Sequence, residues 1–149
     1  MDLPIPAHLA IHFFLSLLVG GYLYLGYQNF FLVLVCLMSG FFIDLDHFVD
    51  YFYWAGLRLN FKEFFNTSLY TDSTKKVFVL LHGWEYLPII LLVSARYEKE
   101  IPGLTIALFL PYLFHLTMDQ ICSRGTFFSY FLIYRILHKF SLKSFSGSK

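Results

Sequence analysis

Charged residues are scarce in this sequence, and their scarcity excludes an ordinary water-soluble domain. Lys, Arg, Asp and Glu make up 14% of the chain, while hydrophobic residues make up 58%. Soluble domains average about 25% charged residues. A single domain of 149 residues could not bury so much apolar surface in its own core. The chain is therefore predicted to be one membrane-embedded domain.

Other features are also missing, and each absence removes a class of protein. The net charge of +1 shows no basic excess, so there is no reason to expect a nucleic-acid partner. The two cysteines, Cys36 and Cys122, form neither a disulfide framework nor a CxxC metal pair. We see no basic leader followed by a small-residue cleavage site, so the first apolar segment is expected to be retained.

Four apolar runs predict an all-α integral membrane protein with about four transmembrane helices. They cover roughly Ala7–Tyr27, Phe30–Phe42, Val77–Ser94 and Gly103–Ile121. A helix needs about 20 residues to cross the bilayer core, so the second run is long enough only if it continues through Phe48. Tyr51–Lys76 is predicted to be an amphipathic surface segment and a loop, and Phe127–Phe140 an interfacial helix interrupted by Arg135. Residues 140–149 are expected to be a disordered tail.

The polar residues are concentrated at one end of each predicted helix. Helices joined by short connections alternate in direction, so the starts of the first and third helices and the ends of the second and fourth share one membrane face. Five of the six histidines lie at these ends, together with half of the acidic residues; the set is His8, His12, Asp44, Asp46, His47, Asp50, His82, Glu85, His115 and Asp119. Within each helix they stand three or four residues apart, so they share a helix face.

Ionisable groups at membrane depth need compensation, and a metal ion provides it. Each such group costs about 2.5–3.5 kcal/mol in the centre of a membrane helix. Carboxylates and neutral imidazoles are ligands of zinc, manganese and iron, and the charge of the ion favours the ionised carboxylate. We therefore expect one or two divalent metal ions per chain, zinc first and manganese or iron as alternatives. The expected ligands are His8, Asp44, His47, His82, His115 and Asp119.

Single members of the set also have simpler interpretations. A lone histidine near a helix end is more often an interfacial or packed residue than a ligand, and His138 is interpreted in that way. His12 is left open between a ligand and a hydrogen-bonded core residue, and Asp50 is expected to be solvated or to support the ligands. Asp44–His47 could be a polar helix end that reaches water, and Glu85 could belong to an interfacial aromatic belt.

Four short motifs in this order carry a family resemblance. They are His8, the segment Asp44-Leu45-Asp46-His47, the segment His82-Gly83-Trp84-Glu85, and His115-Leu116-Thr117-Met118-Asp119. Over about residues 7–125 the chain resembles the predicted inner-membrane metal-dependent hydrolases of the YdjM-like family. Two features differ: Ile43 stands where that family usually has proline, and Leu81-His82-Gly83-Trp84 replaces an arginine-containing element, which leaves a phosphate-clamping role unfilled.

The resemblance implies metal-dependent hydrolysis of an unassigned substrate. The mixture of His and Asp ligands on helices also resembles that of zinc phospholipase C, which favours a phosphoester or a lipid-linked ester. The hypothesis is that a metal-bound water attacks the ester while Asp46 or Glu85 acts as the general base. A transporter of divalent metal or protons, and a structural or interaction protein with a stabilising metal, remain as alternatives. The uninterrupted Leu, Phe and Val residues in the middle of the later spans argue against a transporter.

The basic residues predict which side of the membrane the site faces. With four spans, nine of the eleven lie on the site face: Arg58, Lys62, Lys75, Lys76, Arg124, Arg135, Lys139, Lys143 and Lys149. Positive residues stay cytoplasmic, so the site and both termini are predicted to be cytoplasmic in a multi-pass inner-membrane protein. A crossing by Phe127–Phe140 would change this balance. The expected partners are the lipid bilayer and a lipid or lipid-linked substrate.

Overall fold

The fold is all-helical, as predicted, in a computed structural model that describes residues 5–122 and 125–147. No strand is present among these residues. The α-helices are α1 (Ile5–Tyr27), α2 (Phe30–Gly40), α3 (His47–Ala55), α4 (Phe61–Phe64), α5 (Thr67–Thr74), α6 (Tyr86–Tyr97), α7 (Leu104–Cys122), α8 (Leu132–Leu137) and α9 (Leu142–Ser146), and 3₁₀ helices cover Phe42–Asp46 and Phe127–Tyr130.

Two helices are long and apolar enough to cross a membrane. They are α1 with 23 residues and α7 with 19. α2 passes the same test only together with Phe42–Ala55, and the two parts are bent by 47° relative to each other. α6 has 12 residues, which gives a length of about 18 Å against a bilayer core of about 30 Å. The described residues therefore contain two helices that could span a membrane, or three if the bent pair is one span, and the four predicted spans are not shown.

The third predicted span fails at its start, because residues 75–85 form an irregular loop. Buried carboxylates from the neighbouring segment hold this loop. Asp50 accepts a hydrogen bond from the N–H of Phe78 at 2.6 Å, and Asp46 accepts one from the N–H of Leu81 at 2.6 Å. These side chains satisfy N–H groups that would otherwise bond within a helix, so the apolar sequence is stable without helical structure.

The predicted interfacial segment Phe127–Phe140 supports the same loop. Arg135 is 1% exposed, whereas the sequence suggested an arginine at the membrane surface. Its guanidinium donates hydrogen bonds to the carbonyls of Val79 at 2.8 Å, His82 at 2.8 Å and Ser129 at 2.7 Å. The segment therefore fixes the loop 75–85 from one side.

The C-terminal residues are also more ordered than the sequence predicted. The tail expected to be disordered contains α9, and residues 148–149 lie outside the described part of the chain. The N–H of Leu142 donates to the carbonyl of Lys75 at 2.9 Å, and the N–H of Thr126 donates to the carbonyl of Phe145 at 3.0 Å. These bonds hold α9 at the same end of the protein as the loop 75–85.

α1, α2 and α7 pack against one another around an apolar core. The core consists of Val19, Leu23, Leu32, Cys36 and Ala107. The outer surface is apolar too, since Leu18 is 68% exposed and Leu92 is 77% exposed. Helices that are apolar both inside and outside are typical of proteins embedded in lipid.

The three helices approach closely where α2 ends. A Cβ atom at Gly40 would lie 2.7 Å from the Cβ of Pro111, so a larger residue would push the helices apart. Pro111 has no N–H and leaves the carbonyl of Ala107 without its helical donor. The hydroxyl of Ser39 donates to that carbonyl at 2.9 Å. This contact fixes the end of α2 beside the turn of α7 that carries His115.

Candidate metal centre

Seven side chains from four segments meet at one end of the helices. They are His8 and His12 of α1, Asp44 and His47 at the bend after α2, His82 of the loop 75–85, and His115 and Asp119 of α7. Their ligand atoms form four overlapping groups, and within each group all atoms lie within 4.8 Å of one another. The cluster therefore contains all six residues that the sequence predicted as ligands, together with His12, which the sequence left open.

Asp119 lies in the middle of the cluster and turns its two oxygens towards different histidines. Its Oδ1 is 2.7 Å from Nε2 of His8 and 3.1 Å from Nε2 of His12. Its Oδ2 is 3.2 Å from Nε2 of His82 and 3.4 Å from Nε2 of His115. A buried carboxylate with this arrangement can bridge two cations.

Asp44 is the second carboxylate of the cluster. Its Oδ1 lies 3.3 Å from Nε2 of His82, 3.6 Å from that of His115 and 3.8 Å from that of His47. Its Oδ2 is buried and has no hydrogen-bond partner among the described residues. A buried carboxylate oxygen without a partner is unfavourable unless a donor or a cation joins it. The residues present therefore fit a bound cation.

The two oxygens of Asp119 face two ligand groups, which overlap at His12, because a ligand atom of His12 also lies within 4.8 Å of those of Asp44 and His115. The first group consists of His8, His12 and Oδ1 of Asp119, and the second group consists of Asp44, His47, His82, His115 and Oδ2 of Asp119. Stacking joins the groups, because the rings of His12 and His115 lie 3.9 Å apart.

Two histidines of the second group are oriented through their other ring nitrogen. Nδ1 of His115 lies 2.7 Å from the carbonyl of Gly40, which can only accept, and Nδ1 of His82 lies 3.0 Å from Oδ2 of Asp46. In the neutral rings Nε2 then carries the lone pair, and the two Nε2 atoms are 3.0 Å apart. Two lone pairs at this distance repel each other unless a proton or a cation lies between them. Histidines that bind a metal usually donate from the other ring nitrogen to a carboxylate or a carbonyl, which is the arrangement of His82 and His115.

The charge around His82 favours a cation. Burial alone would lower the pKa of His82, but the carboxylate of Asp46 and hydrogen bonds with Asp119 and Asp44 raise this pKa well above its usual value. The surrounding carboxylates therefore stabilise positive charge at the position where the second group converges.

The two residues predicted as general bases each have one carboxylate oxygen in hydrogen bonds and one buried oxygen, Oδ1 of Asp46 and Oε2 of Glu85, without a hydrogen-bond partner among the described residues. Oδ2 of Asp46 is shared by the ring of His82 and the N–H of Leu81, so Asp46 orients His82 from behind. Oε1 of Glu85 accepts a hydrogen bond from the N–H of Ile133 at 3.0 Å, so Glu85 binds the first turn of α8. Neither residue lines the cavity beside the cluster.

That cavity has a volume of about 630 Å³. His8, Asp44, His47, His82 and Asp119 line it. The rest of its wall comes from α1, α3, α4, α5, the loop 75–85, the end of α7, the 3₁₀ helix Phe127–Tyr130 and α9, and includes Leu9, Phe64, Val79 and Phe145. A molecule in the cavity can therefore contact residues of both ligand groups.

Three further residues at the site have roles that the sequence did not settle. Tyr70 lines the cavity and is 1% exposed; nothing in its polar helix marks it as special. Asp50, expected to be solvated or to support the ligands, is buried and bonds the loop that carries His82. Arg135 did carry a signal, because a single cation within an apolar segment must either reach water or find buried acceptors.

No family model, no curated protein and no solved structure matches this chain. The resemblance to the YdjM-like hydrolases therefore stays a prediction that depends on its four motifs.

Proposed function

We propose that this protein is a membrane-bound, metal-dependent hydrolase that cleaves a phosphoester or a lipid-linked ester. The observation that carries the proposal is Asp119, whose two oxygens face two groups of histidines beside an open cavity. Sites with two metal ions about 3.5–4 Å apart are typical of enzymes that cleave phosphoesters. The two spanning helices and the bent pair support a location in the membrane.

The residues of each ligand group have distinct roles in this proposal. His8, His12 and Asp119 would hold one ion, and three protein ligands leave a coordination position for water or substrate, as in catalytic zinc sites. Asp44, His82, His115 and the other oxygen of Asp119 would hold the second ion. A bound divalent ion would act as a Lewis acid and lower the pKa of water from 15.7 to about 7.

His47 is the residue we assign to accept the proton of the attacking water. Its side chain is 32% exposed and lies farther from Asp44 than His82 or His115 does, at 3.8 Å. It also lines the cavity. We prefer His47 to Asp46 and Glu85, the bases predicted from the sequence, because neither of those two residues lines the cavity.

The two alternative functions have less support. An ion pathway needs polar residues through the middle of the helices, but there the described residues form the core of Val19, Leu23, Leu32 and Cys36. A purely structural metal favours a closed ligand shell, whereas five ligand residues of this cluster line a cavity. We further propose that the site faces the cytoplasm from the inner membrane.

The decisive experiment combines metal analysis with hydrolysis. Purified protein should retain divalent metal and cleave phosphoesters from a panel of lipid and small-molecule substrates, and a strong chelator should abolish both. Asp119→Ala should be inactive, while Lys143→Ala, on the exposed side of α9, should be as active as the wild type. A folded protein that never carries metal would contradict the proposal, and a metal-loaded protein that cleaves none of the panel would favour the structural role.

A further inference from the structure

The cavity beside the metal centre is largely apolar. Besides the cluster, its wall contains Leu9, Val77, Val79, Leu142 and Phe145. A small inorganic substrate would leave this apolar surface in contact with water. A cavity of about 630 Å³ is instead of the size that encloses a ligand with a substantial apolar part.

Tyr70 lines this cavity, and its buried hydroxyl is unpaired among the described residues. The residue is 1% exposed. Its ring is held edge-on against Tyr51 at a centroid distance of 5.8 Å. A buried hydroxyl without a partner needs an explanation, and a ligand that accepts its hydrogen bond provides one. Burial, together with the carboxylates of Asp50 and Asp46, raises the pKa of Tyr70, so the group remains a donor.

The helix that carries Tyr70 begins at the same cavity. Its first residues, Thr67 and Ser68, line the cavity together with the preceding Asn66, whose side chain makes no capping hydrogen bond. The first N–H groups of a helix have no partners within the helix and carry partial positive charge. Such a helix end favours an anion, and Tyr70 of the same helix lines the same cavity.

We propose that the cavity binds a long-chain phosphate ester, with its phosphate between the metal centre, the Tyr70 hydroxyl and the first N–H groups of α5, and its chain along the apolar wall. The inference rests on the proposed function, because the metal centre must hold one side of the phosphate. Four carboxylates also border the cavity, those of Asp44, Asp50, Asp72 and Asp119. They would repel a phosphate in metal-free protein, so binding should require metal.

The test uses phosphonates, which resist ester hydrolysis, so binding is measured without turnover. Cys122 lines the cavity whereas Cys36 is 0% exposed, so the labelling rate of the protein by a thiol reagent reports on the occupied cavity. Dodecylphosphonate, methylphosphonate and dodecanol are compared on the zinc-loaded full chain. Dodecylphosphonate should protect Cys122 at a concentration at least about tenfold below that of methylphosphonate, because it adds burial of the chain. Dodecanol should protect poorly.

Two pairs of variants test the polar contacts. Tyr70→Phe should weaken dodecylphosphonate binding by about tenfold or more, the effect of losing one hydrogen bond to a charged group. Tyr51→Phe removes a hydroxyl whose one hydrogen bond among the described residues is with the Asn60 N–H, outside the cavity, and should leave binding unchanged. Thr67→Pro removes an N–H at a helix position where proline is tolerated and should weaken binding, while Thr67→Ala should not.

The outcomes separate this inference from the proposed function. Unchanged binding in Tyr70→Phe and Thr67→Pro, with metal content and thermal unfolding as in the wild type, would overturn the inference even if hydrolysis is observed. Equal protection by methylphosphonate and dodecylphosphonate would overturn the role of the apolar wall, and no protection by either would overturn the whole inference. Tyr70-dependent binding in a protein that hydrolyses no ester would support the inference and contradict the hydrolase proposal.

Discussion

Asp119 is the residue on which the two-ion interpretation depends. Its oxygens belong to different ligand groups, so Asp119→Ala should lower the metal retained by both. His12→Ala should act mainly on the first group, and His115→Ala mainly on the second. Metal content per chain, measured by mass spectrometry of purified protein, distinguishes these cases. If the wild type holds one ion per chain and His12→Ala leaves it in place, the first group binds no metal.

Arg135 should matter for the site although it contacts none of the ligand atoms. Arg135→Leu leaves three buried carbonyls, including that of His82, without their donor. We expect the free energy of unfolding to fall by about 3 kcal/mol, and metal affinity to fall because the loop that carries His82 is released. Thermal unfolding with and without zinc measures both effects.

Arg58→Leu is the matched control for that substitution. Arg58 pairs with Glu63 at 2.8 Å, but its side chain is 60% exposed, so its loss should cost at most about 1 kcal/mol. Equal destabilisation by the two substitutions would show that the buried hydrogen bonds of Arg135 do not hold the loop.

Among the helices, the two long ones were predicted from the sequence, whereas the residues of the loop 75–85 were predicted to begin a spanning helix. α1 and α7 follow from apolar runs of spanning length. Residues 77–85 have the same apolar character, yet Asp46, Asp50 and Arg135 take up their backbone groups. A pattern within one segment carries no information on such partners, because these lie tens of residues away in the chain.

The start of α7 is held by the carboxylate of Glu98. Glu98 accepts hydrogen bonds from the N–H groups of Gly103 at 2.7 Å and Thr105 at 2.8 Å. Burial acts to raise the pKa of Glu98, but these donors lower it below the usual 4.5. The carboxylate form is thus favoured by folding, so its contribution is complete above pH 4.5 and is lost as the pH falls through the lowered pKa.

Glu98→Gln should therefore unfold at a lower temperature than the wild type at neutral pH, and the difference should shrink in acid. Thermal unfolding of both proteins across that pH range measures it, and titration of the metal cluster cancels in the comparison. Glu100→Gln is the control, because Glu100 has only an exposed pair with Arg96 at 4.0 Å. A difference that is constant with pH would contradict the charge-based explanation.

For the whole molecule, the alternating direction of α1, α2 and α7 brings their polar ends together, so His8, Asp44 and Asp119 could be grouped from the sequence. His82 was grouped with them as the start of a third spanning helix, whereas it lies in the loop 75–85, which side chains of distant segments hold in place. The division of Asp119 between two ligand groups, the part of His12 in the first, and the place of Tyr70 at the cavity could not be predicted. They depend on distances of a few ångströms between segments, which the spacing of residues in one helix does not determine.

The positions of the basic residues predict the orientation of the protein in the membrane. Of the eleven basic residues, Arg124 and Lys149 lie outside the described part of the chain, and of the other nine only Arg96 and Lys99 lie at the turn between α6 and α7. The hydrogen bond from Leu142 to Lys75 returns the C-terminal segment to the site end. The basic residues of that segment therefore add to the site face, which should be cytoplasmic.

Cysteine accessibility in intact cells tests this orientation. In a background of Cys36→Ala and Cys122→Ala, Lys99→Cys and Ser73→Cys place single thiols at exposed positions on the opposite and site ends. A membrane-impermeant thiol reagent should label Lys99→Cys in intact cells and Ser73→Cys only after lysis, because positively charged loops stay inside. Of two reporters fused after Lys149, the one that works only in the cytoplasm should be active and the one that works only outside it should be inactive. Labelling of Ser73→Cys in intact cells would put the metal centre on the outer face and contradict the predicted orientation. If the C-terminal reporter is external while Ser73→Cys is internal, the chain crosses the membrane once more after α7.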